Sequence, residues 1–528
     1  MYDLLIKGGQ VVDGTGARER FRADVAVTNG IIEKIGILEG VPARETTDAK
    51  GLVVAPGFID VLNRSDAYLT LFTQPGQESL LSQGITTIIG GNCGHSLAPL
   101  VSGDVVAAEQ QWTDPQQINV DWLRMGEYLD RLSAKKLPLN FGTLAGYQTV
   151  VRGVLRESDR AANEQEHEIA RFLCSQALTD GALGISYGLF PFHEAHDESK
   201  VMRDVFKCAA LHGTVASIHL RDEPDRFLDS LGMVMRAAEE ERVRLHISHL
   251  KVIDRKFWSN FSRALAVIEQ AKRRGLSVTF DVFPYASSSI ALHLLLPAWA
   301  QKGGPEALLR RLSHAHERKQ IVKDMQAYAI DYAKITVAAR APDAVYIGKT
   351  VAELAKDLGI DGAEVIVELL AASRLRIVVF AHTLDEANVR AGIAHPLSID
   401  AGGGAGYDRG ARTAQTDLPH PRSFGAFPRF LHKYAHDDSQ FLSLERAVAK
   451  ATSSPAHVFG VSRRGVCAQG YAADLIVFDP RTMADAATFH DPYRYSRGVA
   501  HVFVNGARVF SGGEFSGNLP GVVVRHTG

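Results

Sequence analysis

Val53–Asp66 reads VVAPGFIDVLNRSD. It opens as an apolar, β-branched run, breaks at Pro56-Gly57 and resumes as a second apolar run, Phe58–Leu62. A Pro-Gly pair between two apolar runs punctuates the chain, and a short run that is apolar on every position suits a strand buried on both faces. The stretch therefore marks a junction. One domain ends at Pro56-Gly57, and the next begins with a buried parallel strand.

Upstream of the junction, apolar runs alternate with turns: Leu4-Leu5-Ile6 before Gly8-Gly9, Val11-Val12 before Asp13-Gly14, and Val25-Ala26-Val27 before Asn29-Gly30. Asn-Gly between apolar runs is a hairpin signal. The C-terminus has the same character in Ala473–Phe478 and in Val502-Phe503-Val504 before Asn505-Gly506. The two ends are expected to pair into one β-sandwich, 1–57 with 461–528.

Downstream, strand candidates at Thr86–Ile89, Leu139–Gly142, Ala182–Ser186, Val215–His219, Leu245–Ser248, Ser277–Phe280 and Ile377–Phe380 alternate with helical patterns such as Glu164–Leu178 and Phe261–Arg274. Repeated strand–helix units point to an α/β fold with a (β/α)₈ barrel over 58–460. The stretch from about 288 to 346 is too long for a simple connection. Its helical pattern, Pro305–Ala333, reads as an insertion. In such barrels the reacting groups stand at the C-terminal ends of strands. The stretches to inspect are Leu62–Asp66, Gly91–His95, His219–Glu223, His249–Lys251, Asp281–Ser289 and His382.

Length and composition narrow the function class. At 528 residues, the chain exceeds one ordinary core. Its 46% hydrophobic and 22% charged residues are ordinary for a globular protein, and a net charge of -2 gives no reason to expect nucleic acid or an anionic membrane as partner. No apolar run is long enough for a spanning helix. Met1-Tyr2-Asp3 leads straight into a strand-like segment, so no signal peptide is expected. Four scattered cysteines, Cys93, Cys174, Cys208 and Cys467, form no disulfide framework and suit a reducing cytoplasm.

Cys93, His219 and His249 each follow a strand candidate, in GGNCGHS, ASIHLRDE and HISHLK. A thiolate and two imidazoles at neighbouring strand ends make an open three-ligand zinc site, with the fourth position for water or substrate. The structural alternative is a buried free cysteine with two hydrogen-bonded histidines.

The pieces VVAPGFIDV, GITTIIGGNCGHSLAP, DGALGISYGL, HLRDE, ISHLK, FPYASSS, LLLPAWAQKGG, HPRSFGAFPRFL, ATSSPAHVFG and RRGVCAQGYAADLIVFDP resemble, in order, the N-acyl-D-amino-acid deacylase (D-aminoacylase) branch of the amidohydrolase superfamily. The resemblance implies that Cys93, His219 and His249 bind zinc. It also implies substrate contacts from Lys251, Tyr285, Ser289 and Arg422, with Lys251 and Arg422 gripping a carboxylate.

Three features of that pattern are replaced. Its His-x-His pair after the first strand is Leu62 and Arg64, which offer no metal donor, so one zinc per chain is expected rather than two. The histidine of a Gly-His-Gly type motif is replaced by Tyr147, which is expected to contact the substrate instead. The aspartate that serves the family as general base aligns with Gly403, leaving Asp400 as the nearest carboxylate and Asp408 next. Arg64, His95 and Asp400 are the candidate catalytic groups, with Tyr147 and Asp408 as further substitutes. The expected function is a cytoplasmic zinc amidohydrolase acting on a small N-acylated, carboxylate-bearing substrate, as a homo- or hetero-oligomer. Two rivals stand beside it: the same pocket with a changed reaction (C–C or other acyl bond cleavage, Arg64 in place of metal), and a catalytically impaired homologue acting as a binding protein or subunit.

Overall fold

The Pro56-Gly57 junction is tight. Val53–Pro56 is a strand, and Gly57 hands the chain to the strand Phe58–Asp60. A Cβ on Gly57 would collide with the side chain of Thr86, so only glycine allows this approach. The structure, a computed structural model, describes residues 1–101, 118–156, 160–189, 198–221, 226–327, 330–413, 417–435 and 441–527.

Both termini share one nine-stranded sheet. Val53–Pro56 lies in its middle, parallel to the N-terminal strand Tyr2–Val11 and antiparallel to the C-terminal strand Leu475–Phe478. Alternation gives this sheet two apolar faces. Leu475 and Val477 pack with Leu4, Ile6, Val25 and Phe503, while Ile476 and Phe478 join the large central core.

The middle of the chain is α/β. Phe58–Asp60, Ile85–Gly90 and Asn140–Thr143 form one parallel sheet. Ala145–Gly146, Gly184–Gly188, Val215–His219, Arg244–Ser248, Val278–Val282 and Ser398–Asp400 form a second, also parallel. Helices such as Glu164–Thr179, Phe227–Glu241 and Asn260–Arg273 connect the strands. The exits of the last and first strands are tied together, because Gly402 N–H donates to Asp60 Oδ1 at 2.8 Å and Arg64 N–H to Gly404 O at 2.8 Å.

The inserted region differs from its sequence reading. The strand candidate at Ile377–Phe380 is Val378–Ala381, and it is not part of the parallel sheets. It pairs antiparallel with Ser288–Ala291 and Ile335–Ala339. The insertion therefore extends from 288 to 381 and contains a sheet as well as the helices Gly304–Ser313 and Ala315–Ala327. It has its own core, including Leu292, Leu308, Ile321, Val337 and Val367. A short apolar run announces a buried strand but not its direction or its sheet. His382 follows that strand and packs against Phe489, 4.6 Å between ring centroids. No helix among the described residues is long and apolar enough to cross a membrane.

Candidate active site

Cys93 sits in a forced turn, Asn92–Gly94, at the exit of Ile85–Gly90. Its φ is +57°, a left-handed conformation that costs a non-glycine residue energy and clusters at functional sites. The surroundings hold it. Asp66 accepts from Gly91 N–H at 2.5 Å, Asn92 Nδ2 donates to Ile89 O at 2.9 Å, and Gly94 N–H donates to Ser186 Oγ at 2.8 Å.

His219 is the last residue of Val215–His219, and its Nδ1 lies 3.3 Å from Cys93 Sγ. His249 follows Arg244–Ser248 with φ +37°, and its Nε2 lies 3.2 Å from the same sulfur. The imidazoles meet edge to face, centroids 4.3 Å apart. Asp281 fixes the second turn: Oδ1 accepts from His249 N–H at 3.0 Å, and Oδ2 bonds His246 Nε2 at 2.9 Å.

Two cations approach this cluster. Arg64 Nη2 donates to Cys93 Sγ at 2.9 Å, and Lys251 Nζ lies 3.0 Å from His249 Nδ1. Burial pushes the Cys93 thiol up, but Arg64, His249 and His219 outweigh it and hold the thiol well below its usual range. Burial would lower Arg64, and the facing sulfur reverses this and raises it. Burial, then Lys251 and His219, push His249 down to about 4, so it is neutral at pH 7.

One thiolate sulfur and two imidazole nitrogens, all buried, lie within 4.8 Å of one another. A thiolate and neutral imidazoles are the forms that ligate metals. The donor set fits one ion. Among the described residues no second donor set stands beside it, since Leu62 has no donor, Arg64 is a permanent cation and Gly403 has no side chain.

Arg422 opens the helix Arg422–Tyr434. Its guanidinium lies 5.1 Å from the Phe283 ring centroid, and its buried Nε has no partner. Burial lowers its pKa to about 10. Tyr68 feels the charges of Arg422, Arg64 and Arg340 and hydrogen-bonds Ser289. Ser289 reaches this place on the insertion strand Ser288–Ala291. Tyr285 is buried against His420, with Arg429 4.8 Å over its ring and no partner for its hydroxyl.

Other expected residues are placed differently. Asp400 is one step beyond the register pair Asp281–Ile399 and pairs with Val282. Asp281 faces the histidines, so Asp400 faces the opposite way, toward Lys450 and the helix layer. Both of its carboxylate oxygens are buried without partners, and burial raises its pKa well above the usual carboxylate range. Asp400 is therefore not the base at this cluster. Asp408 accepts from Gly76 N–H at 3.1 Å and Glu78 N–H at 3.4 Å, capping the turn at Glu78–Leu81. Tyr147 begins the helix Tyr147–Leu155 and packs edge-on to Tyr187, under the influence of Cys174 and Asp204 on the outer helices. That puts it in the helix layer rather than against substrate. His95 closes the Cys93 turn through its backbone N–H to Asn92 O at 3.1 Å, half-buried. Asp222 and Glu223 of HLRDE lie outside the described residues.

Sequence reading placed Asp281 among the strand ends to inspect but gave it no role, and it passed over Tyr68 and Gln148. Asp281 had a signal, an acidic residue in an apolar strand, FDVF. Gln148 anchors Gly188, accepting from its N–H at 3.2 Å, and packs where any side chain on Gly94 would stand. Tyr68 had no local signal.

The profile of the amidohydrolase family matches residues 45–510. D-aminoacylase of Alcaligenes xylosoxydans xylosoxydans is 32% identical over 526 residues, covering 100% of this chain and 98% of that one. N-acyl-D-aspartate deacylase of the same organism is 30% identical, covering 99% and 95%. A solved D-aminoacylase studied for the role of its binuclear metal centre superposes with TM-score 0.82 at 30% identity, covering 100% of both chains. N-acyl-D-glutamate deacylase from Bordetella bronchiseptica, complexed with zinc and a phosphonate mimic of the tetrahedral intermediate, superposes with TM-score 0.81 at 29% identity, covering 99% of this chain and 100% of that one. The chain belongs to the amidohydrolase family and is a hydrolase acting on carbon–nitrogen bonds other than peptide bonds.

Proposed function

We propose that the chain is a mononuclear zinc-dependent deacylase of small N-acylated, carboxylate-bearing substrates, of the N-acyl-D-amino-acid kind. The observation that carries this reading is the convergence of Cys93 Sγ, His219 Nδ1 and His249 Nε2. Those three donors would hold one zinc ion, whose chemistry is Lewis acidity toward an acyl carbonyl and toward water. A relative, the D-aminoacylase with a binuclear metal centre, shows one-metal activation and second-metal attenuation.

The chain's own residues supply the rest. Arg422, desolvated and with its Nε unpartnered, grips the substrate carboxylate with help from Lys251. Ser289 and Tyr68 border the same space, and Tyr285 backs it. Gly403 offers no base, which predicts slow turnover of simple N-acetyl-D-amino acids. We further infer that the parallel strands, with Asn140–Thr143 and Ala145–Gly146 counted as one, close into a (β/α)₈ barrel over 58–460 and that the shared terminal sheet, 1–57 with 461–528, curves into a sandwich. The four free cysteines favour a cytoplasmic location.

The test is hydrolysis of a panel of N-acyl-D-amino acids by the zinc-loaded and the chelated protein. Hydrolysis that requires zinc supports the reading. The contact between Arg64 and Cys93 favours a second reading, in which the guanidinium stands in for metal and the reaction class has changed. Turnover of any substrate that survives chelation and fails in Arg64→Ala would establish that one instead.

A further inference from the structure

His420 stands where the inserted region, the C-terminal segment and the helix opened by Arg422 meet. It precedes Arg422 by two residues, in His-Pro-Arg, and is buried. Its Nδ1 accepts from Arg422 N–H at 3.1 Å, and its Nε2 lies 3.2 Å from Ser287 O. Tyr285, Phe380 and Phe489 meet its ring edge to face, with centroids 5.1, 5.5 and 5.0 Å away.

The two polar partners require the same tautomer. A backbone N–H only donates, so Nδ1 carries a lone pair. A carbonyl only accepts, so the proton of the neutral ring stands on Nε2 and is donated to Ser287 O. A second proton, on Nδ1, would break the bond from Arg422. Burial and then the charge of Arg422 hold His420 well below the usual imidazole range, which keeps the ring neutral.

A short polar side chain would satisfy the N–H of Arg422 as well, since asparagine and serine do so routinely two residues ahead of a turn. Only a longer, two-ended side chain also reaches Ser287. Ser287 adjoins the insertion strand Ser288–Ala291, where Ser289 pairs with Phe380. Ser289 also hydrogen-bonds Tyr68. Arginine has a long, flexible stem, and here both its ends are restrained: His420 holds the backbone, and the Phe283 ring lies 5.1 Å from the guanidinium.

We propose that His420 is a positioning residue, an Nε2–H imidazole that clamps the root of Arg422 to the base of the insertion strand and so aims the guanidinium at the substrate carboxylate. The carboxylate rests on the deacylase reading, whereas the clamp can be read without it.

The test uses the full-length chain as purified. ¹⁵N-NMR of ring-labelled histidine, with His420→Asn to assign the signal, should show His420 protonated on Nε2 and bare on Nδ1. Calorimetry then compares binding of N-acetyl-D-alanine with that of its uncharged amide, N-acetyl-D-alaninamide. In His420→Asn the side-chain oxygen replaces Nδ1 as acceptor, so the preference for the acid should stay within about threefold of wild type. In His420→Gln the amide reaches Ser287 and leaves Arg422 N–H unheld, so the preference should fall at least about tenfold. Affinity for the uncharged amide should change less than about threefold in both variants. A proton on Nδ1 of wild type, equal acid preference in the two variants when wild type prefers the acid, or joint loss of acid and amide binding would overturn the clamp. A wild type without acid preference would overturn the deacylase reading, and hydrogen exchange would then decide the clamp. Faster amide exchange over 422–427 in His420→Gln but not in His420→Asn would uphold it, and equal exchange would overturn it.

Discussion

Arg64 Nη2 rests 2.9 Å from Cys93 Sγ, the sulfur that also faces His219 and His249. Arg64 does not pair with Asp66, whose carboxylate is taken by the backbone N–H groups of Gly91 and Ala67. A guanidinium stays charged at every working pH. It therefore stabilises the thiolate, and the thiolate in turn makes a buried guanidinium tolerable.

This pair gives a pH signature in the metal-depleted protein. The folded Cys93 pKa is depressed below its unfolded value of roughly 8.5. Its contribution to stability is full above the unfolded pKa and is lost as pH falls through the folded one. Arg64→Ala should raise the thiol pKa, seen as a shift in ultraviolet thiolate absorbance, and should flatten the acid limb of the stability curve. An unchanged titration in Arg64→Ala would show that the contact does not set the thiol.

Asp400→Asn tests the assignment of Asp400 to the helix layer. A general base is worth ~10²–10⁴ in rate, and loss of that size would return Asp400 to the site. The expected outcome is less than about a tenfold change in kcat. Stability supplies an independent check. The folded pKa of Asp400 is raised, so its contribution is full below the unfolded pKa and is lost as pH rises through the folded one. Asp400→Asn should therefore gain stability relative to wild type as pH increases.

Tyr147→Phe removes a hydroxyl that is buried and without a partner. Removing an unsatisfied polar group is neutral or stabilising, so Tm should hold or rise and KM should stay within about twofold. A large rise in KM would place Tyr147 against substrate after all.

How far the sequence could be read differed from place to place. The junction at Pro56-Gly57 and the positions of Cys93, His219 and His249 at strand exits were legible, because apolar runs end where polar, chemistry-bearing residues begin. The direction of Val378–Ala381 was not, because an apolar run looks the same in a parallel and an antiparallel sheet. Asp400 was misread because distance along the chain hides alternation: one residue separates the face that carries Asp281's neighbour Ile399 from the face that carries Asp400. Tyr147 was misread because a helix's first turn can point either into a site or into the helix layer. The Arg64–Cys93 contact joins residues 29 apart in sequence, a pairing made by two neighbouring strand exits and by no local pattern.

The proposed function, with Gly403 where a base would stand, predicts slow ordinary deacylation. Simple N-acetyl-D-amino acids should be turned over far below the enzyme median of ~10 s⁻¹. Leu62→His with Arg64→His and Gly403→Asp should create donors for a second metal and raise D-aminoacylase activity if the pocket accepts that substrate. A wild-type turnover number near the median would mean that another residue serves as base.

The central claim is a single metal on Cys93, His219 and His249. Elemental analysis of the purified chain, with X-ray absorption at the zinc edge, tests it most directly. The account predicts one zinc per chain bound by one sulfur and two imidazole nitrogens, lost in Cys93→Ala and kept in Arg64→Ala. Two metals per chain, or zinc whose first shell contains no sulfur, would contradict it.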